Sequence, residues 1–173
     1  SPKIFHIATH GFYKPTAQVT LEQEIQGSEA TLNQNPLMRT GLLLRGAGDL
    51  MDRAELIYNM ESGILTAYEG MSLNLDKTDL VVLSACETGL GDLEAGEGVY
   101  GLQRAFLVAG AKVLTMSMFK VDDDATQKLM LMFYQKWLNS SNLRESFVAA
   151  KKELRIDYPE PIYWGAFMMI GLD

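Results

Sequence analysis

The sequence predicts an α/β domain with a largely parallel central sheet, and two observations support this class. Apolar runs of strand length alternate along the chain with segments of helical periodicity. One run, TDLVVLSA at 78–85, is almost continuously apolar, as expected of a strand buried on both faces. The length of 173 residues suits one domain with a sizeable core.

The first elements are short and separated by polar segments. A strand is predicted at 3–9, where KIFHIAT runs into HGFY. A long loop is expected at 12–40, because this stretch is polar and contains Pro15 and Pro36 as breakers. The apolar stretch GLLLRGAG at 41–48 predicts a second strand, closed by glycines.

Later elements alternate more regularly, and capping residues mark several of their ends. Gly110 is a natural end for the helix predicted just before it, and Asp122 a natural start for the next one. In order, the predicted elements are an irregular segment at 49–62, a short helix at 63–73, the strand at 78–85, a glycine-rich loop at 86–98, a helix at 99–110, a strand at 111–121, helices at 122–138 and 142–156, and a strand at 161–171.

Composition excludes several classes of function. The net charge of −7 disfavours nucleic acid and anionic membranes as partners. No apolar run is long enough to span a membrane. A single cysteine allows no internal disulfide and no cysteine-based metal site, and two histidines argue against zinc, so we expect a cytoplasmic protein without metal or cofactor. The chain begins SPKIF, with no signal peptide, and we expect it to be a portion of a longer protein.

Two predicted strands end in reactive residue types, His10 followed by Gly11, and Cys86. Neighbouring strand ends in a parallel sheet lie about 5 Å apart, so these side chains can meet at the carboxyl edge. A histidine beside a thiol favours the nucleophilic thiolate. The N–H groups of Gly11 and Cys86 would supply the oxyanion hole that acyl transfer requires.

Each of these residues also has a plain structural interpretation. A lone cysteine among Val, Leu and Ala is most often a small buried hydrophobe. His10 suits a turn at a strand end, and His6 suits a hydrogen-bonded core histidine. The glycine-rich loop at 89–98 is acidic and lacks the lysine of a phosphate-binding loop, and its acids lack EF-hand spacing, so we interpret it as a solvated loop.

Several motifs in order resemble the CHAT family. They are HIATHG, VVLSACETGLG, GEGVYGLQRAFLVAGAKVLTMSMFKVDD and YWGAF, and the resemblance covers nearly the whole chain. CHAT domains are caspase-like cysteine peptidases, related to separase and often fused to tetratricopeptide repeats. The resemblance implies a caspase–hemoglobinase-like α/β/α sandwich, with His10 as general base and acid and Cys86 as nucleophile. The family has strands ahead of the one that bears the histidine, so it also implies that this chain lacks its N-terminal strands.

The chain departs from relatives beside the predicted dyad. Ser84 to Gly89 differ from the caspase Q-A-C-R/Q-G signature, so the caspase preference for Asp is not carried over. Lys120 stands where separases carry an acid. Asp122, Asp123 and Asp124 follow and would restore negative charge, although they also suit a helix N-terminus. Trp164 suits a substrate groove and a core position equally well. Ser84, Lys120, Asp122, Asp123 and Trp164 are therefore the predicted substrate-binding residues.

The predicted function is that of a cysteine endopeptidase spanning residues 1–173 as one domain. Its expected partners are a protein or peptide substrate, an associated repeat or sensor module and, through an exposed sheet edge, a second copy of the chain. The alternative is a catalytically inactive caspase-like scaffold or protein-interaction domain.

Overall fold

A computed structural model describes residues 1–13, 35–47, 63–85, 97–119 and 121–171. Most of the predicted loops at 12–40, 49–62 and 86–98 lie outside these residues, as do Cys86 and Lys120. Six strands are described: β1 Ile4–Tyr13, β2 Thr40–Leu43, β3 Ile64–Thr66, β4 Leu80–Ala85, β5 Val113–Ser117 and β6 Phe167–Gly171. Five α-helices accompany them: α1 Ala67–Gly70, α2 Glu97–Val108, α3 Asp123–Ser140, α4 Leu143–Asp157 and α5 Pro161–Trp164, together with a 3-10 helix at Pro36–Met38.

The strands form one mixed sheet in the order β3-β2-β1-β4-β5-β6. Its central strands β1, β4 and β5 are parallel, as predicted. The outer strands pair antiparallel: β2 with β1, β3 with β2, and β6 with β5. None of these antiparallel pairs is a tight hairpin, because residues 14–39, 44–63 and 118–166 separate the paired strands.

Helices cover both faces of the sheet and bury one apolar cluster on each. On one face, Leu102 and Phe106 of α2 pack against Val81 and Leu83 of β4. On the other face, Phe133 of α3 belongs to a cluster with the remaining apolar side chains of β4 and with α4. β4 is thus buried on both faces, which explains its continuous apolar run. The predicted α/β/α sandwich is confirmed.

Caps define the ends of the long helices. The Asp122 carboxylate accepts a hydrogen bond from the N–H of Ala125 at 2.9 Å, and Asn142 caps α4 in the same way through Glu145 at 3.0 Å. Gly110, just past α2, has φ +103, a conformation that disfavours other residues. The predictions of these helices and of the cap at Asp122 are confirmed.

The strand predicted at 3–9 is longer than expected: β1 continues to Tyr13, so His10 and Gly11 lie within the strand rather than at its end, because they pair with β2. Two further segments differ from the prediction in type. The helix predicted at 63–73 is strand β3 followed by the single turn α1, because Thr66 and Glu69 form a capping box. The strand predicted at 161–171 begins instead as helix α5, since Pro161 occupies its first turn, and only Phe167–Gly171 forms the strand. In both cases a short helical turn adjoins a short strand.

Candidate active site

The carboxyl end of β4 lies beside Thr9, within the carboxyl-terminal half of β1, which continues to Tyr13. These strands are parallel, with Thr9 opposite Ala85. His10 follows Thr9, and Cys86, which lies outside the described residues, follows Ala85 in the sequence. Consecutive Cα atoms are about 3.8 Å apart, so covalent connectivity alone ties both predicted catalytic residues to this one pair.

His10 is fixed through its backbone and open at its side chain. It pairs with Leu43 across the antiparallel β1–β2 ladder, and its side chain is exposed. The hydroxyl of neighbouring Thr9 donates to the carbonyl oxygen of Leu43, which fastens the same point of β1 to β2. The imidazole can therefore be approached while the strand beneath it is held in place.

The polar backbone groups of Gly11 face the side of the sheet on which β4 lies. Leu80 N–H donates to the carbonyl of Lys3 at 3.2 Å, so Lys3 directs its polar groups toward β4. Direction alternates along a strand, and Gly11 therefore shares the orientation of Lys3. In the part of the chain that the structure describes, β4 ends at Ala85, opposite Thr9, so it has no residue opposite Gly11.

The ladder on the other side of β1 is consistent with this orientation. Leu44 N–H donates to the carbonyl of Gly63 at 2.6 Å, which turns Leu44 toward β3. By alternation Leu42 also faces β3, so the Gly11–Leu42 pair is the kind that exchanges no hydrogen bonds. The N–H of Gly11 is thus directed along the sheet edge toward the end of β4.

His6 lies on the same face of β1 as His10 and pairs with helix α3. Its Nδ1 is 2.8 Å from the hydroxyl oxygen of Tyr134, a hydrogen bond whose direction depends on the imidazole tautomer. Partial burial lowers the pKa of His6 and raises the pKa of Tyr134 to about 12. The histidine is hydrogen-bonded, as expected, but its side chain is exposed, so the prediction of a core histidine is wrong.

Three predicted substrate-binding residues are described along the same edge. Ser84 is half-buried and lies opposite Ala8, one residue before the Thr9–Ala85 pair. Asp122 and Asp123 follow β5 and begin α3, where both are exposed. With strands about 5 Å apart, the end of β5 lies about 10 Å from Ala8 of β1, which pairs with Ser84 of the strand between them. The carboxylate of Asp122 is already used as the cap of α3.

Trp164 stands just before β6, at the end of the edge that β5 and β6 share. Its indole N–H donates to the carbonyl of Pro159 at 3.3 Å, and the guanidinium carbon of Arg155 lies 5.4 Å from its ring centroid. The ring is half-buried against the cluster under α3 and α4. These contacts fix the indole, and its remaining exposed surface faces solvent.

Arg39 was missed by sequence reasoning, although it brings a positive charge to the same edge. It is only 6% exposed and precedes β2, whose first residue, Thr40, pairs with Tyr13 at the end of β1. Its guanidinium carbon lies 5.9 Å from the ring centroid of Tyr13. The sequence carried no signal for this burial, because Arg39 falls in a stretch that reads as polar loop.

The described ranges hold neither a cluster of metal-ligating side chains nor a helix that could span a membrane. There, no three His, Cys, Asp or Glu side chains converge to hold a metal ion. None of the described helices is long and apolar enough to cross a membrane.

The α/β/α sandwich and the strand-end arrangement define the class as caspase-like. The chain belongs to the CHAT domain family, whose match covers residues 1–172. CHAT domains belong to the caspase-like peptidase clan.

Two relatives link this domain to tetratricopeptide repeat proteins. The chain is similar to tetratricopeptide repeat protein 28 of Mus musculus, with 27% identity over 173 residues, which is 97% of this chain and 7% of the relative. It is also similar to tetratricopeptide repeat protein 28 of Homo sapiens, with 32% identity over 112 residues, which is 64% of this chain and 4% of the relative. The chain thus spans a small fraction of these relatives.

Proposed function

We propose that this chain is a cytoplasmic cysteine endopeptidase that uses His10 and Cys86. The observation that carries the proposal is the parallel pairing of Thr9 with Ala85, because His10 follows one residue and Cys86 follows the other. Membership of the caspase-like CHAT family supports the same chemistry. His10 is exposed, so a substrate can approach it without rearrangement of β1.

In the proposed reaction, His10 takes the thiol proton and Cys86 Sγ attacks the scissile carbonyl carbon. The S–C bond forms, and the resulting oxyanion accepts hydrogen bonds from the N–H groups of Gly11 and Cys86. The orientation of Gly11 toward the end of β4 supports its part in this step. His10 then protonates the leaving amine as the C–N bond breaks, which leaves a thioester. Water, deprotonated by His10, attacks the thioester carbonyl carbon. The S–C bond breaks, the acid is released, and the Cys86 sulfur regains its proton from His10.

The substrate-binding surface is proposed to extend from the dyad toward β5 and β6. Ser84 would line its floor, because it lies on the same sheet face as His10. Lys120, Asp122, Asp123 and Trp164 would form the far wall. A cleavage preference for Arg or Lys is expected if the aspartates face the substrate, and Asp123, whose carboxylate is exposed at the start of α3, is better placed than the capping Asp122.

Three partners belong to this proposal. A protein or peptide is the substrate, and a tetratricopeptide repeat region of the same protein regulates access to the site. The relatives, both named for such repeats, support the second partner. The third is a second copy of the chain, which would pair through an edge of the sheet.

Thiol labelling tests the dyad. Native chain is treated with a peptidyl acyloxymethyl ketone and the adduct is located by mass spectrometry. We expect modification of Cys86 that falls at least roughly tenfold in a His10→Gln variant, since the histidine promotes the thiolate. His6→Gln is the matched control, because His6 lies on the same strand face and should leave labelling unchanged. A Cys86 that reacts only after unfolding would contradict the proposal.

A second candidate is an inactive caspase-like scaffold or protein-interaction domain. It is favoured by the names of the two relatives, which state a repeat and no activity. A peptide-library digest separates the two candidates. Cleavage that disappears in Cys86→Ala supports the peptidase, whereas rapid labelling of Cys86 without any cleavage, in the chain joined to its repeats, favours the scaffold.

A further inference from the structure

β6 is the terminal strand of the sheet and is bonded to β5 alone among the described strands. Such an edge presents unpaired backbone groups to which another strand can add. Met118 N–H donates to the carbonyl of Ala166 at 2.8 Å, so Ala166 faces β5. Because direction alternates, the carbonyls of Phe167, Met169 and Gly171 point away from the sheet.

Helix α4 places one cationic side chain on each end of this outward row. Lys151 Nζ donates to the carbonyl of Phe167 at 2.6 Å, and Arg144 Nη2 donates to the carbonyl of Gly171 at 2.9 Å. The two cations are about two helical turns apart, roughly 10 Å, and the first and last residues of β6 are about 13 Å apart. Their long side chains span the small difference.

The Lys151 side chain is partly buried and makes two contacts that hold its ammonium group in place. Its ammonium nitrogen lies 5.1 Å from the ring centroid of Phe147 and donates to the Phe167 carbonyl. Burial of the side chain lowers its pKa. A charge that is partly removed from water keeps its hydrogen-bond partner firmly, because the unpaired state costs more.

We propose that Arg144 and Lys151 close the β6 edge against pairing with a second copy of this chain. The occupant that is kept out is the β6 strand of that copy. An antiparallel pair centred on Met169 would set Phe167 of each copy opposite Gly171 of the other, which is the self-complementary arrangement of a two-fold dimer. Both capped carbonyls are needed for that ladder, so the α4 cations stand at the positions that the dimer requires.

The two caps at β6 act independently of peptidase activity. They give the expected homodimer a specific requirement: pairing through β6 must first release the two α4 caps. A partner segment or a change at α4 that removes these cations would open the edge.

Light scattering after size exclusion, over a series of concentrations, tests the proposal on the 173-residue chain. We expect Arg144→Ala/Lys151→Met to dimerise at least roughly tenfold more tightly than wild type. The matched control is Arg104→Ala/Lys152→Met, which likewise removes one arginine and one lysine, from exposed positions on α2 and α4. Adding Met169→Pro to the uncapped variant should restore the monomer, because proline removes an outward N–H from the edge.

Dimerisation of the control to the same degree would overturn the proposal, since charge alone would then explain it. An uncapped variant that stays monomeric would also overturn it, as would a dimer that persists with Met169→Pro. If the double variant does not fold by circular dichroism, the single variants Lys151→Met and Arg144→Gln give the same readout with a smaller shift.

Discussion

The lowered pKa of His6 makes the stability of the folded chain depend on pH. Partial burial beside Tyr134 lowers its pKa below the ordinary value of 6.5, so the folded chain binds this proton less readily than the unfolded chain. The free energy of unfolding should therefore be unaffected by His6 above about pH 6.5 and fall as the pH drops below it. We expect His6→Gln to make that fall shallower in urea denaturation from about pH 8 to about pH 5.

Tyr134→Phe is the matched control for this prediction. It keeps the ring that shields His6 and removes the hydroxyl, so the acid-dependent loss should persist if burial is its cause. A His6→Gln variant with the same slope as wild type would contradict the prediction.

Thr78 and Thr115 are both fully buried, but only the Thr78 hydroxyl forms a hydrogen bond within the described residues. Thr78 Oγ1 donates to the carbonyl of Pro2 at 2.6 Å, whereas Thr115 Oγ1 has no partner in the described part of the chain. Valine has nearly the same shape. We expect Thr115→Val to leave the free energy of unfolding unchanged or raise it by about 1 kcal/mol, and Thr78→Val to lower it by about 1 kcal/mol. Denaturant titration measures both, and equal losses would contradict the argument.

Individual site residues were predictable from their chemistry and only partly from their surroundings. His10 is a candidate catalytic residue, and Gly11 allows close approach of a substrate to the backbone; both follow an apolar run in the sequence. Their position beside the end of β4 depends on strand order, which periodicity does not contain. Arg39 could not be found at all, because its burial comes from the fold around β1 and β2 rather than from its neighbours in sequence.

At the scale of elements, helix α3 depends on its first cap. Asp122→Ala removes the hydrogen bond to the N–H of Ala125 and should lower the free energy of unfolding by about 1 kcal/mol. Asp123→Ala removes a first-turn charge without that bond, so its cost should be a few tenths of a kcal/mol, roughly. Thermal unfolding of the two variants measures both losses of stability. Equal losses would show that the acidic charge, rather than the cap, stabilises the helix start.

Long elements were predictable because several signals agree in each. Helix α3 combines a capping aspartate with apolar periodicity, and β4 combines a continuous apolar run with a glycine-rich sequence after it. The short pairs β3–α1 and α5–β6 were predicted as single elements. Their signals, the Thr66–Glu69 capping box and Pro161 at a first turn, were present in the sequence but span a single turn each. Pairing with β2 and β5 decides where the strands begin.

At the scale of the molecule, the sheet divides the core into two clusters that touch through shared strands. Phe106 belongs to one cluster, and Phe133 and Phe147 belong to the other. Phe133 and Phe147 are in direct contact, edge to face, with ring centroids 5.4 Å apart. This arrangement predicts which substitutions act independently.

Each phenylalanine replaced by leucine should lower the free energy of unfolding by about 1 kcal/mol or more. Losses for Phe106→Leu and Phe133→Leu should add within about 0.5 kcal/mol, because the sheet stands between the two side chains. Losses for Phe133→Leu and Phe147→Leu should depart from additivity by more than about 0.5 kcal/mol, because these rings touch. Double-mutant cycles in denaturant measure both terms. Strong coupling between Phe106 and Phe133 would mean that the sheet transmits packing changes from one face to the other.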